Sequence, residues 1–306
     1  MESSDPLVIT GANGHLGRKL IVRLDGTRPL RAVVRSQRAA DLVRDLKLSH
    51  EIDVRIADYH DAAAMFDAMA DSSHAVHLVG IIKETRDNRY HDAHEATCKV
   101  LADAAERVGL QRLVYLSILG SQSNSDNPCL ASKGRAESLL LTARTPVLIL
   151  QVPMVLGEDD YATRALNKKA HKTWNVILRA SSREQPIYAE DVVSAIVAGL
   201  SNPGLINRRV RLAGPESLTR RALTQRGATV VGRHTHVISL PVGLGYTMAY
   251  IMEKVLAHPP LTRAMLGVLD HDDDIDPFIG ANELGMSLTP LDEILRHCLT
   301  RDSTSS

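Results

Sequence analysis

The chain has 306 residues, 44% of them hydrophobic and 24% charged, an ordinary globular usage that excludes a disordered chain and a coiled coil. At about 150 residues per domain, it has room for one large α/β domain and a smaller lobe. Its 36 Lys and Arg balance 36 Asp and Glu, so no global field draws in nucleic acid, and none is expected as a partner. Cys98, Cys129 and Cys298 stand far apart and outside any CxxC, which argues against a disulfide framework or zinc site and for a reducing, cytoplasmic setting. The opening MESSDP lacks the basic and apolar regions of a signal peptide, so no export is expected.

The first half alternates short apolar runs with longer amphipathic ones. Strands are predicted at Pro6–Thr10, Leu30–Arg35, Asp53–Ala57, Ala75–Gly80, Arg112–Ser117 and Pro146–Val152, rich in Val, Ile or Leu as strands buried on both faces are. Helices are predicted between them at Leu16–Leu24, Arg38–Leu48, Ala62–Ala70, Ala93–Val108 and Ala131–Ala143. Such strict alternation is the pattern of an α/β, doubly wound parallel sheet, which binds nucleotides at the carboxyl ends of its strands.

Past Val152 the rhythm loosens. Gly157–Tyr161 reads as a loop, Asp191–Leu200 and Leu218–Gly232 as helices, Gly204–Pro215 as turns around a short strand, and Pro290–Leu299 as a last helix. The expected division is a nucleotide-binding domain over 1–155, a small C-terminal lobe over 156–300 that shares its core, with 186–213 returning to the sheet, and a disordered tail over 301–306. The apolar stretch Val237–Ala257 is broken by Pro241, Gly243, Gly245, Glu253 and Lys254, short of the ~20 apolar residues of a spanning helix. It reads as a core helix or a surface anchor, and for Ile238–Leu256, rich in Leu, Met and Tyr, core packing is the first expectation and the lining of a lipid- or quinone-sized pocket the second. The acidic run Asp270–Asp276 with His271 lacks calcium-loop spacing and reads as solvated, with no metal expected.

The strongest site signal is Leu7-Val-Ile-Thr-Gly11-Ala-Asn13-Gly14-His15-Leu16-Gly17, a strand running into three glycines at intervals of three and then a helix. The glycines give a tight turn, close approach of backbone to a pyrophosphate, and close helix–strand packing. The helix start offers free N–H groups to the phosphates. Gly11, Asn13, Gly14, His15, Leu16 and Gly17 are therefore expected contacts of a dinucleotide. At the tip of the second strand an acid would bind a ribose 2′-hydroxyl and an arginine a 2′-phosphate. The tip is Arg35-Ser36, with Arg38 beyond it and no acid, so NADP(H) is expected before NAD(H).

Further motifs carry a resemblance. Asp58-Tyr59, Leu78-Val79-Gly80, His91–Thr97, Leu116–Gly120, Pro153–Gly157, Pro186–Val192, Gly214-Pro215-Glu216 and Glu283–Gly285 follow the glycine loop in order. The chain resembles an atypical short-chain dehydrogenase/reductase of the extended, epimerase/dehydratase-like Rossmann type, in the group with NmrA-like sensors and the nucleotide-binding accessory subunit of respiratory complex I. The resemblance implies that Asp58 bonds the adenine amino group, with Tyr59 beside it. It also implies that Val79, Gly80 and Ile81 run beneath the adenosine and that Pro153, Met154 and Val155 line the nicotinamide side. Asp191 reads as a helix cap.

Active members of the wider superfamily place a Tyr-x-x-x-Lys pair on the helix after the fifth strand, beside a Ser. One turn puts both side chains on one face, and the Lys lowers the Tyr pKa for proton transfer. Here Lys133 is present but Cys129 stands at the Tyr position, and a small, weakly hydrogen-bonding thiol is a poor substitute. Lys133, Ser117 and Cys129 are the candidate catalytic residues, with Ser121 a second serine. Lys133 is expected to keep a ribose contact and to pair with Glu137 one turn on. The expectation is an NADP(H)-binding protein with weak or no Tyr-Lys catalysis, a redox sensor or accessory or assembly factor near quinone chemistry, peripheral to the inner membrane. The alternative is an active oxidoreductase or epimerase on a small or lipid-like carbonyl or hydroxyl substrate. The small-molecule or protein partner and the oligomeric state are not legible in the sequence.

Overall fold

The computed structural model describes residues 5–85, 87–158, 160–256, 260–269 and 271–300. The expected tail 301–306 lies outside them, as do Asp159, Ala257 and Asp270 of segments named above. In chain order the elements begin β1 (Leu7–Thr10), α1 (His15–Leu24), β2 (Leu30–Val34), α2 (Gln37–Arg44), β3 (Asp53–Ile56), α3 (Ala62–Met69), β4 (His74–His77), a π-helical turn over His91–Ala96, α4 (Thr97–Val108), β5 (Arg112–Ile118), α5 (Pro128–Thr142) and β6 (Val147–Val152). There follow β7 (Val155–Leu156), α6 (Tyr161–Ala170), β8 (Trp174–Leu178), β9 (Arg183–Glu184), β10 (Ile187–Tyr188), α7 (Ala189–Ser201), β11 (Arg208–Arg211), β12 (Leu218–Thr219), α8 (Arg220–Val230), β13 (His236–Leu240), α9 (Val242–Val255), α10 (Arg263–Leu269), α11 (Pro277–Leu284) and α12 (Leu291–Leu299).

The chain divides into one unit of the residues up to Gln151 with Val193–Val210, and another of Val152–Val192 with the residues from Arg211 onward. The first unit holds the sheet, in the order β11-β6-β5-β4-β1-β2-β3. Leu7 pairs in parallel with Leu30 on one side and with His74 on the other, so β1 is central and all four of its residues are buried. The order turns from descending to ascending between β1 and β4, the switch point where a doubly wound sheet opens a crevice at its carboxyl ends. Met65, Met69, Leu101, Leu113, Leu140 and Ile149 make one core cluster, each worth ~1.5–3 kcal/mol when fully buried. The returning segment is α7 followed by β11, which joins the sheet beside β6. Arg112 donates to the Asn202 and Leu205 carbonyls at 3.1 Å just past the end of α7, the place where a cation suits a helix dipole.

Several boundaries differ from expectation, those of α5 and α6 for local reasons. β4 stops at His77 rather than Gly80. α2 stops at Arg44, not Leu48. α5 starts at Pro128, three residues early, because Asn127 Oδ1 accepts from the Cys129 and Leu130 N–H groups and proline suits the first helical position. α6 begins at Tyr161, within the expected loop Gly157–Tyr161, with Asp160 as its cap.

In the second unit β8 pairs in parallel with β13 and β7 with β10, while β9 and β12 run antiparallel. Leu156, Leu166, Leu223, Leu291, Leu295 and Cys298 form its core cluster. Gly214 leaves no room for a Cβ against the Pro186 carbonyl, which is why those two motifs meet. Asp191 is not a cap: α7 starts two residues before it, and its carboxylate accepts from the Thr289 N–H at 2.9 Å and hydroxyl at 2.8 Å. Nor is the described part of the acidic run simply solvated. Asp272 binds Arg179 at 2.7 Å and the Arg183 N–H at 2.8 Å, Asp276 caps α11, and burial pushes the Asp273 carboxyl up to about 7. Within Ile238–Leu256 the core expectation also fails along α9, which buries only Gly245 and Ala249. Among the described residues no helix is long and apolar enough to cross a membrane.

Candidate functional site

The first unit builds the site from the loop between β1 and α1. Gly11 adopts φ +71°, a left-handed conformation that glycine takes without strain. A Cβ on it would lie 3.1 Å from the Leu78 carbonyl carbon, so the loop runs tight against the segment leaving β4. A Cβ on Gly17 would lie 2.7 Å from the Gly11 and Ala12 oxygens, which is the close helix–strand packing expected of the third glycine. Gly14 caps α1 with backbone alone, and the first turn holds no acid. The start of α1, from His15 and Leu16, thus offers N–H groups and a partial positive charge with no side-chain anion in place. A pyrophosphate fits this cradle.

Tyr59 braces the loop from below. Its hydroxyl accepts from the Gly11 N–H at 2.9 Å and donates to the Val33 carbonyl at 2.8 Å, and burial pushes the phenol up to about 12. Both hydrogen bonds are internal, so the ring ties β2 to the glycine loop. Arg35 is exposed just past β2, its guanidinium 5.9 Å from the Tyr59 ring centroid. Ser36 caps α2, its hydroxyl oxygen accepting from the Ala39 N–H at 3.3 Å, which leaves its proton for an outside acceptor. Arg38 is exposed in the first turn of α2. Asp58 is exposed, and hydrogen bonds from the His60 backbone and ring, with the charge of Arg35 adding, hold its carboxyl below the usual range.

Beyond β4 the chain passes Val79, buried, Gly80, exposed, and Ile81, partly exposed. A Cβ on Gly80 would come within 2.8 Å of Lys133 Nζ. Lys133 is buried and spends its three protons on the Val79 carbonyl at 3.3 Å, the Tyr115 hydroxyl at 3.0 Å and the Leu116 carbonyl at 3.2 Å. Burial lowers its pKa. Cys129 is fully buried with Sγ 3.5 Å from the Ile81 carbonyl, and burial pushes the thiol up to about 11, so at neutral pH it is protonated.

Glu137 does not pair with Lys133. It lies fully buried and accepts from Ser117 Oγ at 2.5 Å, Gln151 Nε2 at 2.8 Å and Arg209 Nε at 2.7 Å. Ser117 is thereby tied to a carboxylate, with the Ser121 hydroxyl 3.5 Å away. Two buried histidines complete the surroundings. His77 Nδ1 lies 2.6 Å from Thr10 Oγ1, and its ring stacks on Tyr115. His94 Nε2 lies 3.1 Å from the Ile81 N–H. Burial, with Lys133 adding, depresses both to about 3, so both are neutral. A lone histidine in a strand gives no sequence sign of this, and His94 was visible only as part of a family motif. The π turn, in which the Thr97 N–H reaches back to the Asp92 carbonyl, precedes α4 at this place. Pro153, Met154 and Val155 fall in the second unit, where the Met154 carbonyl accepts from the Ile187 N–H at 3.0 Å.

A family model described as NAD(P)H-binding matches residues 11–203. The chain is 28% identical over 251 residues to NADH dehydrogenase (ubiquinone) 1 alpha subcomplex subunit 9, mitochondrial, of Arabidopsis thaliana, covering 79% of this chain and 61% of that protein. It thus spans about three fifths of that relative's length. To the ceramide reductase of Caulobacter vibrioides it is 28% identical over 239 residues, 77% of this chain and 73% of that one. Among solved structures, NADPH-dependent quinone oxidoreductase QOR2 of Escherichia coli, complexed with NADPH, shares the fold with a TM-score of 0.73 at 19% identity, over 95% of this chain and 99% of that one. With the glycine cradle at the switch point of a doubly wound sheet, the chain belongs to the NAD(P)H-binding family, among the atypical short-chain dehydrogenase/reductases.

Proposed function

We propose that this chain binds NADP(H) in preference to NAD(H) and serves as a redox sensor or an accessory or assembly protein, without Tyr-Lys proton transfer. The observation that carries the reading is Cys129, a buried, protonated thiol at the position of the missing phenol. In this reading the start of α1, with Asn13, Gly14, His15 and Leu16, takes the pyrophosphate. Arg35 and Ser36 take the 2′-phosphate, Asp58 takes the adenine amino group, and Val79, Gly80 and Ile81 floor the adenosine. Lys133 holds that floor through the Val79 carbonyl. Bound NADPH would supply a hydride, but in this reading none of Ser117, Cys129 and Tyr115 then offers the proton. Ser117 gives its own to Glu137, Cys129 has a thiol of high pKa, and Tyr115 is fully buried.

The name of the Arabidopsis relative, a subunit of NADH dehydrogenase (ubiquinone), supports a setting near quinone or respiratory chemistry, and in this reading the chain associates peripherally with a membrane. The test is to bind NADPH to the purified protein and follow its absorbance with quinone, ceramide-like and small carbonyl acceptors. Tight binding without turnover is expected; oxidation of NADPH at enzymatic rates would replace this reading with that of an active reductase.

A further inference from the structure

The second unit carries an apolar surface with no cover among the described residues. Along β8, Trp174, Val176 and Leu178 alternate with the buried Asn175 and Ile177, and on β13 His236 and Ile238 are exposed on either side of the buried Val237. The register places His236 beside Trp174, Ile238 beside Val176 and Leu240 beside Leu178, so all six share one face of the pair. Trp174 is 61% exposed and Val176 63%, far beyond what strand residues next to a core show. The face continues onto α9, because Gly245 has room for no Cβ against the Leu178 side chain. From there Leu244, Met248, Ile251 and Val255 recur at helical spacing along the solvent side, while the inner side holds Gly245 and Ala249. A helix that turns its large apolar side chains outward and its small ones inward is built to be covered.

Charge indicates what covers it. The chain is neutral as a whole, yet residues 161–183 and 217–252, which contain both strands and most of α9, hold no Asp or Glu, against six and four Lys and Arg. Most of the arginines there are used internally: Arg179, Arg183, Arg220 and Arg226 form ion pairs with carboxylates elsewhere in the unit. Lys168, Lys172 and Arg233 are exposed and form no ion pair among the described residues. They lie where the two strands begin, and since the strands run parallel these ends share one edge, joined by the His236 N–H to the Thr173 carbonyl at 2.8 Å. An apolar face with an interfacial tryptophan and an unpaired cationic edge matches the acyl and phosphate layers of an anionic bilayer.

We propose that the outer face of β8 and β13 with the solvent stripe of α9 docks on an anionic lipid surface, with Trp174 entering the interface and Lys168, Lys172 and Arg233 meeting the lipid phosphates. The inference gives the peripheral association in the proposed function its surface. Its test is read separately from NADPH binding, so either can fail alone.

The experiment is co-sedimentation of the full chain with phosphatidylcholine vesicles, with and without about one third phosphatidylglycerol. The wild type, Trp174→Ala, and the triple variant Lys168→Gln, Lys172→Gln, Arg233→Gln are compared, with NADPH binding and thermal melting measured on the same preparations. Binding to the anionic vesicles is expected, weakening as salt rises. At about fivefold per cation the triple variant should lose about a hundredfold, and Trp174→Ala should lose about tenfold. Failure of the wild type to bind anionic vesicles overturns the proposal. So does binding that neither variant alters, and so does self-association without lipid that Trp174→Ala abolishes, which would give the face to a second copy of the chain.

Discussion

His77 provides a prediction whose size follows from its burial. The ring sits under the carboxyl ends of β1 and β4 with Nδ1 against Thr10 and Nε2 without a partner, and burial depresses it to about 3 from 6.5. A base with a depressed folded pKa takes up its proton first in the unfolded chain. The neutral ring therefore costs nothing above pH 6.5, and stability is lost as the pH falls from there toward 3. Between about pH 7.5 and 5 this amounts to about 2 kcal/mol. Other groups oppose it: Asp273, raised by burial to about 7, adds stability over much of the same range. The effect is isolated by comparison with His77→Asn, which keeps a nitrogen near Thr10 and removes the titration. Urea unfolding should be followed by circular dichroism, because the single tryptophan, Trp174, reports on the other unit. The stability difference between wild type and variant should shrink by about 2 kcal/mol from about pH 7.5 to 5. A difference that does not change with pH would mean that His77 titrates normally in the folded protein and is not shut away from water.

Three further outcomes follow. Gly14→Val should abolish NADPH binding in calorimetry with little loss of folding, since a Cβ there crowds only the Gly11 oxygen at 3.1 Å, whereas Gly17→Ala should lower the melting temperature through its 2.7 Å clashes with backbone oxygens. Equal melting of the two variants would refute the distinction. Cys129→Ser should leave NADPH affinity and any residual turnover unchanged; a loss of ~10²–10⁴-fold in turnover would make this residue the working acid. Glu137→Gln should cost ~1–3 kcal/mol in urea unfolding, because it leaves Arg209 and Ser117 with a weaker acceptor, the value being tempered by the partial exposure of Arg209. Unchanged stability would show the cluster to be dispensable.

How much was legible depended on whether the signal was local. The glycine loop, the six apolar strands and the helices between them could be read because spacing, strand composition and turn residues all act within a few positions. The Asn127-Pro128 start of α5 was equally local and went unused. The buried group around Lys133 was not legible, because His77, Tyr115 and Leu116 lie on strands and meet it only through the crossover. The pairing of Glu137 with Gln151 and Arg209 likewise joins residues far apart in sequence, and it displaced the i,i+4 partner that helix geometry suggested. For α9, hydropathy showed an apolar segment but could not show which side faces inward, since that depends on the contact between Gly245 and Leu178.

The central claim, an NADP(H) site whose 2′-phosphate meets Arg35, is tested most directly by titrating wild type and Arg35→Ala with NADPH and NADH in a calorimeter. Wild type should prefer NADPH, and Arg35→Ala should weaken NADPH by ~1.5–3 kcal/mol, the worth of a charge-assisted hydrogen bond, while NADH changes little. Equal weakening of both cofactors, or a wild-type preference for NADH, would contradict the account.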